Sequence, residues 1–316
     1  MTRVLLVFID GVGIGGNDAE INPFMRARLD TFAELLGSAA PLVSAEPHRS
    51  KHATLLPVDA LLGIPGLPQS GTGQTALLTG FNAAAEFGRH FGPWVPTVLR
   101  ERLAHENILS LGVAAGKSVA FANAYPEELV QGNGERRGRD RAKGMIIDPL
   151  RAGPPIAALG AGLLTRHTPQ LVRGEAVASE ITNDGWRKQL NRSELPIITA
   201  GEAGRNLGRI ASQHDLTLFA HYSTDYIGHR GHMWESVEAL QKIDEFVAGI
   251  RAAMSNDVTV AVVSDHGNIE DIRAGHTANP ALALFFGQAH EELAHGITAL
   301  TDVAGGIMRL LGVSTP

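Results

Sequence analysis

Five short apolar runs stand out along the chain, at residues 4–9, 118–122, 217–221, 258–264 and 281–286. None alternates with polar residues, and each leads into a polar or glycine-containing stretch. That pattern predicts strands buried on both faces of a parallel sheet, where no solvent face demands alternation. Between them, helical periodicity predicts helices over 97–112, 234–254 and 300–311. Strands alternating with helices predict an α/β fold with a mostly parallel central sheet flanked by helices. In such sheets ligands bind beyond the carboxyl ends of the strands. The polar residues that follow the apolar runs are therefore where chemistry is expected.

The stretch 126–195 reads differently. QGNGERRGRDRAK, at 131–143, carries five basic and two acidic residues, and Pro149, Pro154 and Pro155 follow it. An alanine- and glycine-rich helical stretch comes next, around 156–164. This predicts a small inserted cap over 126–195, between a first core part at 1–125 and a second at 196–316. The 316 residues are enough for about two domains.

Composition narrows the chemistry. Apolar residues make up 44% and charged residues 19%, which predicts a packed core. The 27 basic and 33 acidic residues leave a net charge of −6, against a nucleic-acid partner. There is no cysteine, so disulfides, thiolate metal sites and thiol nucleophiles are excluded. The run at 4–9 is too short for a membrane span and has no cleavage-site pattern, so no membrane partner and a cytoplasmic protein are expected. The sequence carries no signal of oligomeric state.

Five motifs carry candidate chemistry. Asp10 ends the first strand in IDGVGIGG. GVGIGG matches the dinucleotide fingerprint, which would make the chain a dinucleotide-binding oxidoreductase. That fingerprint should open a helix at once, whereas Asn17, Asp18, Asn22 and Pro23 favour a loop, and a carboxylate at a strand end suits a metal ligand better. In LPQSGTGQTALLTG, Ser70 is placed as N-cap of a helix closing at Gly80, where free N–H groups and the helix dipole favour a phosphate. Taken alone, Ser70 would be an ordinary cap. TDYIGH sets Asp225 and His229 four residues apart, facing one cation if the segment is helical. SDHGN places Asp265 and His266 at a strand end, where burial of charge without a partner is costly. GHTANP supplies His276.

Together, Asp10, Asp225, His229, Asp265, His266 and His276 are six ligands for hard or borderline cations. Six exceed one zinc site and match two cations bridged by a hydroxyl or a substrate oxygen.

In this order the motifs DGVGIGG, LPQSGTGQTALLTG, TDYIGH, SDHGNIED and GHTANP resemble the alkaline phosphatase superfamily. Within it, they resemble the branch of cofactor-independent phosphoglycerate mutase and phosphopentomutase. The resemblance implies an alkaline-phosphatase-like core with an inserted cap. It implies one metal on Asp225, His229 and His276, and a second on Asp10, Asp265 and His266, with Ser70 as the nucleophile contacting the second. The branch often has His where this chain has Gln74. The activity implied is phosphoryl transfer on a small phosphorylated substrate through a phosphoserine. A phosphomutase is favoured, with a phosphomonoesterase or phosphodiesterase on the same core as the alternative. Two divalent ions are implied, Mn²⁺ or Zn²⁺ by donor type, with Mg²⁺ a further candidate. Thr72, Gln74, Asn268, Arg137 and Arg139 are weaker candidates for substrate contact, as are Asn183, Asp184 and Trp186.

Overall fold

The computed structural model describes residues 2–131, 149–273 and 275–314. Its seven strands are β1 (Arg3–Ile9), β2 (His48–Arg49), β3 (Ala53–Val58), β4 (Val119–Phe121), β5 (Leu216–His221), β6 (Val258–Val263) and β7 (Ala281–Gly287). They form one mixed, mostly parallel sheet in the order β2-β3-β7-β6-β1-β5-β4. All of β5 and β6 is buried, as is β1 after Arg3 and β7 before Gly287, which accounts for their unbroken apolar runs. Helices cover both faces, over two large apolar clusters that divide the alternate residues of β1 between them. Val4, Leu6 and Phe8 face one cluster, and Leu5, Val7 and Ile9 face the other.

The central strands β6, β1, β5 and β4 are parallel. The fifth apolar run departs from expectation, because β7 is antiparallel to both β6 and β3. Burial on both faces removes alternation whichever way a strand points, so the pattern carries no direction. The β2–β3 edge is not among the five runs, although β3 reads ATLLPV, apolar but for Thr54. Pro57 sits inside β3, beyond the point where the two-residue β2 pairs with Thr54 and Leu55. On that side no strand asks for its missing N–H, and on the other the paired Leu282 of β7 turns its own N–H and carbonyl to Val12 and Ser264.

One expected helix is two. Thr97–His105 ends at Glu106, and Ile108–Ala114 starts afresh from Asn107, whose buried side chain accepts from the N–H groups of Leu109 and Ser110. The long helix Met233–Ala253 and the last helix Leu300–Leu310 lie close to their expected positions. Among the described residues no helix is long and apolar enough to cross a membrane.

Of the segment 126–195, the part from Leu150 to Leu164 shares the main apolar cluster, through Leu150, Ile156, Ala157, Ala158 and Leu164. A smaller cluster gathers Ala124, Leu171, Ala176, Ala178, Trp186 and Leu195. Arg137 and Arg139 lie outside the described residues.

Candidate metal centre

The sheet order brings three strand ends side by side. In register, Ile9 pairs with His221 and Phe8 with Val263, so the residues after β1, β5 and β6 emerge together at one edge. Asp10 follows β1 directly. Asp265 and His266 follow β6, and β5 leads into the helix Ser223–Arg230, which carries Asp225 and His229 one turn apart. His276 comes from the loop between β6 and β7.

Two sets of side chains result. In one, donor atoms of Asp10, Asp265 and His266 lie within 4.8 Å of one another; in the other, those of Asp225, His229 and His276 do. His266 Nε2 is 3.3 Å from Asp10 Oδ1 and 3.8 Å from Asp265 Oδ1. Asp225 Oδ2 is 3.4 Å from His229 Nε2, and its Oδ1 is 3.3 Å from His276 Nε2. The sets adjoin, because the rings of His266 and His276 stack with centroids 4.0 Å apart.

Backbone carbonyls orient two of the imidazoles. His276 Nδ1 lies 2.8 Å from the carbonyl of Pro68, and His266 Nδ1 3.2 Å from that of Gly267. A carbonyl only accepts, so Nδ1 carries hydrogen and Nε2 turns to the site, as in metal-binding histidines.

Ser70 is the first residue of the helix Ser70–Thr79, whose N-cap is Gln69. This corrects the expected N-cap placement. The hydroxyl makes no capping bond and instead lies 3.0 Å from His266 Nε2 and 3.4 Å from Asp10 Oδ1. It is buried at the positive end of a ten-residue helix.

The electrostatics are those of crowded negative charge. Burial pushes Asp10 well above the usual carboxylate range, and the charges of Asp265 and Asp225 add to this. Burial likewise raises Asp265. Asp225 is different. Burial acts against its charge, but hydrogen bonds from His229, His276 and Asn268 outweigh it and hold the carboxyl low. Burial disfavours a charged His266, yet Asp265, Asp10 and Asp225 push it up to about 10. The pocket thus calls for positive charge. Asp265 Oδ2 is buried without a hydrogen-bond partner, a costly arrangement for a carboxylate oxygen that a bound cation would relieve. Carboxylate, imidazole and hydroxyl donors around such an atom fit divalent cations.

The glycine-rich stretch after Asp10 serves this site. It opens no helix; the next element is the short 3₁₀ turn Pro23–Met25. The N–H of Gly11 donates to Asp265 Oδ1, and that of Gly13 to Glu270 Oε2, so the dinucleotide fingerprint has no helix to complete it.

Glu270 is the residue that sequence reasoning missed. It is buried, and its carboxylate accepts from the N–H groups of Gly13 and Asn268, from Thr277 Oγ1 and from Asn279 Nδ2. One side chain thereby fastens the loop after β1 to the loop between β6 and β7, and both ends of the latter to each other. A Cβ at Gly13 would lie 2.4 Å from Glu270 Oε1, which explains the glycine there. In the sequence, Glu270 sits beside Asp271 in a polar stretch that looks solvated.

Three of the weaker substrate candidates are engaged with protein. Thr72 Oγ1 accepts from the Phe91 N–H, Asn268 Nδ2 donates to Asp225 Oδ1 at 2.6 Å, and both amide ends of Gln74 are bonded. Asn183 Nδ2 donates to the Pro196 carbonyl, Asp184 opens the short helix Asp184–Gln189, and Trp186 packs in the smaller cluster.

Comparison with known proteins finds likenesses in sequence over part of the chain and in fold over all of it. Residues 201–315 match the family described as the Metalloenzyme superfamily. That segment holds five of the six metal-ligand candidates but neither Asp10 nor Ser70. A 2,3-bisphosphoglycerate-independent phosphoglycerate mutase of Thiobacillus denitrificans is 29% identical over 115 residues, covering 34% of this chain and 22% of the relative. The like-named protein of Flavobacterium johnsoniae is 32% identical over 100 residues, covering 29% and 19%. The matched region thus spans about a fifth of each relative's length. A Pyrococcus horikoshii protein of solved structure shares the fold, with a TM-score of 0.57, 12% identity, and coverage of 100% of this chain and 98% of that one.

Proposed function

We propose, from the premise that this chain is a metalloenzyme of the alkaline phosphatase superfamily, that it transfers the phosphoryl group of a small phosphate ester through Ser70. The observation that carries the reading is the position of Ser70 Oγ. It lies at a helix N-terminus against Asp10 and His266, where the two sets of metal-competent side chains adjoin. Asp225, His229 and His276 would hold one divalent ion, and Asp10, Asp265 and His266 the other. When bound, two such ions would stabilise the negative charge of a deprotonated serine oxygen and of the phosphoryl oxygens, which favours in-line displacement.

Ser70 gives up its hydroxyl proton, and its Oγ forms a bond to phosphorus as the ester P–O bond breaks and the departing oxygen takes up a proton. A phosphoserine results, at a helix end whose N–H groups suit phosphate. In the second step the Ser70 Oγ–P bond breaks, and the group passes to the oxygen of another hydroxyl or of water, which gives up a proton as Ser70 Oγ regains one. The mutase reading is supported by relatives named as phosphoglycerate mutases over the shared segment. The phosphatase reading is supported by His229, whose half-exposed side chain gives water a path to the site.

Phosphorus NMR of the Mn²⁺-loaded protein with phosphoglycerates, sugar phosphates and a diester tests both, each reaction being stopped with chelator. A new ester resonance without orthophosphate is expected for a mutase, and growing orthophosphate for a phosphatase. Unchanged spectra with every substrate would count against phosphoryl transfer on small esters.

A further inference from the structure

Gln74 lies one helical turn after Ser70 and on the same face of its helix. It is 1% exposed, and both ends of its amide are occupied. Its Oε1 accepts from the Gly153 N–H at 2.9 Å, and its Nε2 donates to Asp10 Oδ2 at 3.2 Å. The first bond settles the second. A backbone N–H only donates, so the amide oxygen must face Gly153 and the NH₂ must face Asp10.

From this we infer that Gln74 is a positioning residue. It holds Asp10 Oδ2 so that Oδ1 faces Ser70 and His266, and it ties that geometry to the start of the helix Gly153–Gly160. The inference rests on the proposed function, and gives the Asp10, Asp265 and His266 set a dependence on residue 153.

The two oxygens of Asp10 have separate surroundings. Oδ2 meets the Gln74 amide, whereas Oδ1 lies 3.4 Å from Ser70 Oγ and 3.3 Å from His266 Nε2. The other two carboxylates are also each held by an amide, but on an oxygen that itself faces an imidazole. Asn268 Nδ2 donates to Asp225 Oδ1, and the Gly11 N–H donates to Asp265 Oδ1, leaving Asp265 Oδ2 without a partner. In each case an amide N–H engages one oxygen. The Gln74 contact alone among these three is relayed to residue 153, within the segment expected as a cap.

The glycine at 153 belongs to the device. A Cβ there would lie 2.8 Å from Gln74 Cβ, so any side chain would push Gln74 off its place. With both amide ends engaged, Gln74 has no free polar atom for a substrate.

Calorimetric titration of Mn²⁺ and of Zn²⁺ into the full chain tests this, comparing wild type with Gln74→Met and Gly153→Ala. Methionine keeps the length and apolar bulk but neither donates nor accepts strongly. Outer-shell partners of metal ligands affect affinity by about 10–100-fold. Q74M is expected to weaken one of two sites by that factor and leave the other unchanged. G153A should weaken the same site by a smaller factor, which keeps the test open if Q74M fails to fold. Two sites of wild-type affinity in both variants would overturn the inference alone. Equal weakening of both sites would do the same, since it marks a general loss of packing. A wild-type chain that takes up no metal would overturn the proposed function, and this inference with it.

Discussion

Asp10, Asp265 and His266 are between 0% and 6% exposed, whereas the His229 side chain in the neighbouring set keeps about half of its surface. One set offers two carboxylates and an imidazole and the other one carboxylate and two imidazoles, and the backbone that presents them differs as well. The sealed set hangs from the ends of two adjacent central strands, fixed by parallel pairing along their length. The open set hangs from an eight-residue helix and a loop. Ser70 contacts the sealed set, at 3.0 Å from His266. The centre thus has a sealed half beside Ser70 and a half that solvent can reach.

Breaking the sealed half should have the largest effect. Asp265→Asn keeps the side-chain shape but removes the charge around the unpartnered Oδ2. We expect loss of one metal equivalent and a fall in turnover of about a thousandfold, from the several kcal/mol a cation contributes. Metal analysis with an activity assay checks this, and an unchanged stoichiometry would take Asp265 out of the site. The same removal in the open half should be milder. For His229→Ala we expect turnover to fall by about 100-fold, the low end of the cost of a lost charge-stabilising contact, and to recover in part as Mn²⁺ is raised. Insensitivity to added metal would contradict the role.

Chelation sharpens the contrast without mutation. One equivalent of metal should leave quickly, from the exposed set, and the second slowly. Stopped-flow with a chromophoric chelator should resolve two phases; a single phase for both ions would erase the distinction. The smallest effect concerns the fastening of the loops. Glu270→Gln turns one oxygen into a donor facing other donors, at a cost of about 1–3 kcal/mol. Denaturant unfolding should show that loss, and a variant as stable as wild type would argue against the fastening role.

Much of the centre could be read from the sequence because each candidate stands where a readable element ends. Asp10 and Asp265 follow unbroken apolar runs, and Asp225 and His229 have the spacing of one helical turn. What could not be read depends on partners distant in the chain. Glu270 looks solvated until the loop after β1 and the loop between β6 and β7 close on it. Thr72, Gln74 and Asn268 are polar residues near the motifs, and their spacing does not tell a substrate contact from a bond to Phe91, Asp10 or Asp225. Asn107 divides an apolar periodicity that is continuous on paper, because a capping side chain starts a new helix within it. The direction of β7 leaves no trace in a strand buried on both faces.

The central claim is that Ser70 carries the phosphoryl group between two such different halves. Its most direct test is to quench the Mn²⁺-loaded enzyme with acid during turnover and locate covalent phosphate by peptide mass spectrometry. The account predicts phosphate on Ser70 in wild type and none in Ser70→Ala, whose metal content stays nearly that of wild type. Phosphate on another residue, or turnover persisting in Ser70→Ala, would contradict it.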